Sequence, residues 1–169
     1  LKLGDNKYLR VAKQDSPMSL ERINSYKKRG LEYFFIRSHD FANYVGFNLS
    51  IANAASKRTT IPRHRKMALL SHALESVLQD AYVNDFNKEK FSTAKDLVET
   101  SLNVMIESKD LFSILEMLKT KRDKTYSHSF VVSLYAVAIV KEWGWHSAPT
   151  LFKVSMSGVF HDIGEKEIP

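Results

Sequence analysis

The sequence predicts a mainly α fold, a helical bundle preceded by a small α+β module, on three observations. Apolar residues recur at intervals of three and four through Met67, Leu70, Leu74, Val77, Leu78 and Ala81, and again through Phe91, Ala94, Leu97, Val98, Leu102 and Met105. That is the period of an amphipathic helix. Tyr126 to Trp143 is apolar nearly all round, as in a helix buried at the centre of a bundle. The residues up to about 55, by contrast, mix alternating and helical spacing with turn residues.

Taken in order, Leu1 to Leu3 and Tyr8 to Ala12 alternate apolar and polar residues around Gly4-Asp5-Asn6. This is turn chemistry, and a hairpin is expected. Asp15-Ser16-Pro17 punctuates the chain, and Met18 to Tyr26 has the spacing of a short amphipathic helix ending at Gly30. Leu31 to Ile36 reads as a strand from its aromatic and β-branched content. Ser38 can cap a following helix that runs through Phe41, Tyr44 and Val45. Residues 1–55 thus form a module of marginal size, expected to regulate or to mediate interaction. Gly46 to Pro62 is ambiguous, and the polar stretch 56–62 is the expected linker. From 63 to 169 the chain is helical: the two stripes make a hairpin turned near Asn84 to Asn87, and Asp110 to Leu118 adds a short helix. After the helix from Tyr126, Trp143 to Pro149 returns the chain, and Ser147 or Thr150 caps a last helix that ends at His161-Asp162.

Composition narrows the function classes. At 169 residues, 44% of them hydrophobic, the chain is long enough for one ordinary domain or two small ones. No apolar run reaches membrane-spanning length and no signal peptide opens the chain, so the expectation is a cytoplasmic protein without a membrane partner. Cysteine is absent, so any metal must be held by His, Asp and Glu. The net charge of +6 favours anionic partners, nucleotides among them. Its basic residues fall in separate clusters, however, as solvated faces do. A helical nucleic-acid-binding protein would rest on charge alone, no such partner is expected, and the salt dependence of binding separates that reading from the others.

Metal-ligand chemistry meets an apolar scaffold at one place, where Leu151 to Phe160 delivers His161 and Asp162 and Gly164 then breaks the run. An imidazole nitrogen beside a carboxylate oxygen suits a divalent iron, manganese or zinc ion. His39-Asp40 is the same dipeptide, but it opens a polar helix start and reads as cap and turn. His64 and His72 read as surface or packing residues, and His146 lies in a loop with no partner signal. His128 stands in the first turn of the helix from Tyr126.

The run His161-Asp162-Ile163-Gly164-Glu165-Lys166-Glu167-Ile168-Pro169, preceded by Tyr126-Ser127-His128-Ser129-Phe130-Val131-Val132, resembles the HD superfamily of metal-dependent phosphohydrolases. Within it, the HD-GYP branch is the better match. The resemblance covers Thr120 to Pro169 strongly and the upstream helices loosely. It implies that residues 63–169 comprise the helical hairpin and the start of an HD domain, whose remaining ligands and GYP motif would lie beyond Pro169. It further implies hydrolysis of the bacterial second messenger cyclic di-GMP at a site with two or three divalent ions, iron or manganese. His128, His161 and Asp162 would be the metal ligands, Asp162 bridging the ions and holding the attacking water. The family pattern has Lys directly after the Gly, where this chain has Glu165. Lys166, one residue on, is the candidate for the catalytic cation that would neutralise phosphate charge. The alternative is a degenerate HD-GYP-like receptor that keeps fold and metal and acts by binding cyclic di-GMP or proteins such as GGDEF-domain partners. Formation of a homodimer stays open, and no substrate-binding residue is assigned.

Overall fold

The computed structural model describes residues 2–5, 7–12, 16–31, 33–84, 87–106 and 125–164. The chain divides into two compact units, Leu1–Phe41 and Ala42–Pro169. Mainly helical architecture is what the described residues show, with six α-helices and one pair of very short strands.

In the first unit, β1 (Lys2–Gly4) and β2 (Lys7–Tyr8) pair antiparallel, a hairpin shorter than the alternation suggested. Helix α1 (Leu20–Lys28) is opened by Ser19, whose hydroxyl accepts from the Arg22 amide. Gly30, at φ +77°, ends it in the left-handed conformation that glycine adopts without steric cost. The expected strand over Leu31 to Ile36 is not formed: its described residues take no regular structure. Aromatic and β-branched content favours a strand only where a pleated, half-buried surface receives it. Here Phe35 instead meets Tyr8 edge-on with ring centroids 5.7 Å apart, and Phe34 meets Tyr26 at 5.9 Å. The expected cap is displaced too. Ser38 lies inside a 3-10 turn, Ser38–Asp40, whose N-cap is Arg37.

The module boundary expected at 55 lies elsewhere, because α2 (Phe41–Ser56) occupies most of the ambiguous region and Ala52 is buried in the core of the second unit. Residues 57–62 are therefore a loop inside that unit and not a linker between domains. Polar contacts pin α2 to α3 (Arg63–Val83): Asn48 Nδ2 donates to Ser76 Oγ at 2.7 Å, and Tyr44 Oη lies 2.8 Å from His72 Nε2. His72, expected as a surface or packing residue, keeps its side chain 44% exposed while bonding to Tyr44.

Two helical hairpins make the rest of the bundle. Helices α3 and α4 (Lys88–Ile106) form the first; α5 (Thr125–Glu142) and α6 (Ala148–Phe160) form the second, with α3 packed on α5 and α4 on α6. Met67, Leu70 and Leu74 of α3 meet Val98 and Met105 of α4, Phe130, Leu134 and Val137 of α5, and Leu151 and Val159 of α6 in one buried cluster. Each large apolar side chain so buried contributes about 2 kcal/mol, which decides the helices where capping alone would not. Helix α5 departs from the all-round burial expected of it. Phe130, Leu134 and Val137 face the core, whereas Ile139 on the same helix is 50% exposed. Gly144, at φ +85°, stops α5, with the Trp145 amide bonded back to the Val140 carbonyl. Of the two expected caps, Ser147 and Thr150, it is Ser147 that caps α6, accepting from the Thr150 amide. The helix expected over Asp110 to Leu118 falls outside the described residues.

An ion pair locks the corner of the first hairpin. Lys90 Nζ lies 3.0 Å from Asp80 Oδ2 and also donates to the carbonyls of Asp80 and Asn84. Burial works against the Asp80 carboxylate, but hydrogen bonds from Asn84 and Lys90 and the Lys90 charge outweigh it and hold the carboxyl below its ordinary 3.8. A carboxyl depressed on folding contributes stability that is complete above its unfolded value and lost as pH falls through the folded one. Lys90→Met is expected to cost about 1–2 kcal/mol in urea denaturation at neutral pH. It should also shrink the stability lost on acidification below about pH 4. A neutral-pH loss within error of zero would show that the pair is solvated.

Candidate metal centre

One end of the bundle gathers the C-terminal turns of α3 and α6 with the N-terminal turns of α4 and α5, and the three expected ligands meet there. His128 is in the first turn of α5, and His161 and Asp162 follow α6 in a turn of residues 161–164. One donor atom from each of the three lies within 4.8 Å of the others, and no other group of this kind occurs among the described residues. His161 Nε2 is 2.8 Å from Asp162 Oδ2, and His128 Nε2 is 3.9 Å from the same oxygen. The imidazole centroids are 5.4 Å apart at a 49° tilt.

Two donors on one ion stand at most about 4.4 Å apart, twice a bond of about 2.2 Å; both separations from Asp162 Oδ2 lie inside that span, whereas the 4.8 Å spread of the three donors is slightly wider, so one ion on all three would draw the side chains together by a few tenths of an ångström. The donor set, two imidazoles and a carboxylate without thiolate, suits iron, manganese or zinc. Exposure also fits: His128 is 58% exposed, whereas Asp162 is 24% exposed, so the carboxylate is rooted and the site stays open to solvent.

His161 is oriented from behind. Its Nδ1 lies 2.8 Å from the Gly158 carbonyl oxygen, one turn back in α6. With Nδ1 donating there, Nε2 presents its lone pair toward Asp162, the second-shell arrangement usual for a ligating histidine. Both ring nitrogens of His161 thus face acceptors, and a neutral imidazole has only one N–H to give. A metal ion bound to Nε2 and Oδ2 would reconcile this geometry.

The elements beneath the site fit closely. Gly158 faces Ser133 of α5, and a Cβ on Gly158 would stand 2.5 Å from Ser133 Cα. Ser155 Oγ donates to Ser133 Oγ at 3.3 Å, both side chains being buried. These small residues let α5 and α6 approach and so bring His128 to His161. The Tyr82 hydroxyl, from α3, donates to the backbone carbonyl of Asp162. The ring of Phe91 in α4 stacks on Phe160, centroids 5.6 Å apart at 30°.

Gly158, Ser133 and Tyr82 escaped sequence reading. An isolated glycine inside a helical run does signal close packing, whereas nothing near Tyr82 in the chain marks its partner. Lys166, the expected catalytic cation, and Glu165 fall outside the described residues. His39 and Asp40 form an exposed pair 3.5 Å apart, in keeping with a turn. No helix among the described residues is long and apolar enough to cross a membrane. Comparison of the chain with family models, curated proteins and solved structures finds no match.

Proposed function

We propose that the protein is a metal-dependent phosphodiesterase of the HD-GYP type, hydrolysing cyclic di-GMP with His128, His161 and Asp162 as ligands in a site for two or three iron or manganese ions. What supports the reading is one observation: ligands from two separate helical elements converge on one open face, with both nitrogens of His161 against acceptors. Divalent ions held there supply Lewis acidity and activate water near neutral pH. The chain's own part is to orient. The Gly158 carbonyl sets the His161 tautomer, Asp162 provides the single negative charge of the triad, and exposed His128 leaves room for a phosphodiester. Lys166 is the proposed cation for charge that develops on phosphate.

Glu165 favours a second reading, a receptor that retains fold and metal and signals by binding cyclic di-GMP or a GGDEF-domain protein. A carboxylate near a phosphodiester repels it by about 1 kcal/mol at 4 Å in water, and by several-fold more at lower dielectric. Metal content and cyclic di-GMP hydrolysis, measured together on wild type and Glu165→Lys, separate the two. Weak hydrolysis that rises in Glu165→Lys, with metal retained, supports the enzyme. Metal and nucleotide binding without hydrolysis in either protein supports the receptor. A metal-free, inactive wild type that remains so on reconstitution with iron or manganese excludes both.

A further inference from the structure

The metal ligands account for the face of the turn 161–164 that looks to solvent. Its other face is held by the first helical hairpin. There the Tyr82 hydroxyl reaches the Asp162 carbonyl, and the Phe91 ring lies on Phe160, the residue before His161. Both braces come from one corner, where α3 ends and α4 begins, and the Asp80–Lys90 pair closes that corner.

We infer that Tyr82 is a positioning residue for the His161–Asp162 turn: its hydroxyl fixes the backbone at Asp162 and thereby the distance of the carboxylate from the two imidazoles. The inference rests on the reading of this cluster as a metal centre and adds to it the group that tunes its affinity. The physical reason lies in the end of α6. The last carbonyls of a helix have no intrahelical donor, and His161, with φ −59° and ψ −31°, still has helical dihedrals. The residue that follows would otherwise be free to adopt several conformations. The Ile163 amide bonds back to the Phe160 carbonyl at 3.1 Å, a contact made within the turn itself. The Tyr82 hydroxyl supplies an anchor from a second element and removes that freedom. Deleting such an outer partner of a metal site usually costs about 10- to 100-fold in metal affinity.

Cobalt(II) titration of the full chain tests this, followed by calorimetry, with wild type, Tyr82→Phe and Tyr44→Phe compared. The last loses a tyrosine hydroxyl bond to His72, away from the cluster, and serves as the control for general loosening. Tyr82→Phe should fold and bind cobalt about 10- to 100-fold more weakly, while Tyr44→Phe binds as wild type does. Unchanged affinity in folded Tyr82→Phe overturns the inference, and so does an equal loss in Tyr44→Phe. Should wild type take up no cobalt, the metal-centre reading fails. The anchor is then judged on the metal-free protein from the carbonyl carbon resonance of Asp162 and the amide resonance of Ile163. Displacement of both by Tyr82→Phe upholds it, and unmoved resonances overturn it.

Discussion

Asp162→Ala is expected to abolish metal binding at the proposed centre. The carboxylate is the one negative group in the cluster, and its Oδ2 is the atom that both imidazoles approach, at 2.8 and 3.9 Å. Without it two imidazoles remain on a site open to solvent, and a borderline divalent ion loses its charge partner. The loss should exceed the roughly 10- to 100-fold that removal of an outer-shell partner costs. Elemental analysis of the purified variant reads this directly. Thermal denaturation gives an independent reading, since a ligand at a hundred times its Kd stabilises the folded state by about 2.7 kcal/mol. That increment should appear on adding manganese to wild type and vanish in Asp162→Ala. Asp40→Ala, which alters the exposed pair with His39, should change neither quantity. Undiminished metal in Asp162→Ala would end the assignment.

Gly158→Ala is expected to destabilise the bundle and loosen the proposed metal site together. In an exposed helix the exchange would stabilise, by about 1 kcal/mol of helix propensity. Here the added Cβ would sit 2.5 Å from Ser133 Cα and 2.8 Å from its backbone nitrogen, well inside the 3.4 Å at which ordinary contact begins. Forced overpacking costs about 1–3 kcal/mol, and because the atoms met are backbone the cost should sit at the upper end. The net loss in urea denaturation should be about 2 kcal/mol. Relief requires α5 and α6 to separate, which draws His128 away from His161 and Asp162 and weakens metal binding. Ser133→Gly should fail to rescue the variant, because the closest contacts are to atoms that glycine also has. Stability equal to wild type would mean that the helices already stand further apart.

The helices of the bundle were legible because their cause is local. Apolar stripes at three and four, as in Met67, Leu70 and Leu74, are buried along one side by any partner, so the period announces the element whatever covers it. Helix ends were legible for the same reason at Ser147 and Gly30, where a side-chain acceptor or a left-handed φ acts within one turn. Leu31 to Ile36 was misread because a strand's stability resides in a neighbouring strand. Its Phe35 and Phe34 meet Tyr8 and Tyr26 instead. The boundary at 55 was misplaced because α2 has polar contacts, Asn48 to Ser76 and Tyr44 to His72, that no period reports.

The sequence by itself determined the ligand types of the candidate site: without cysteine the donors had to be nitrogen and oxygen, and one His-Asp pair alone stood at the end of an apolar helix. Tertiary structure decided the rest. That His128 reaches this pair depends on Gly158 and Ser133 allowing two helices to touch, and the setting of Asp162 depends on a hydroxyl from α3. Such contacts join residues far apart in the chain through a few tenths of an ångström of fit, and neither periodicity nor composition carries information on that scale.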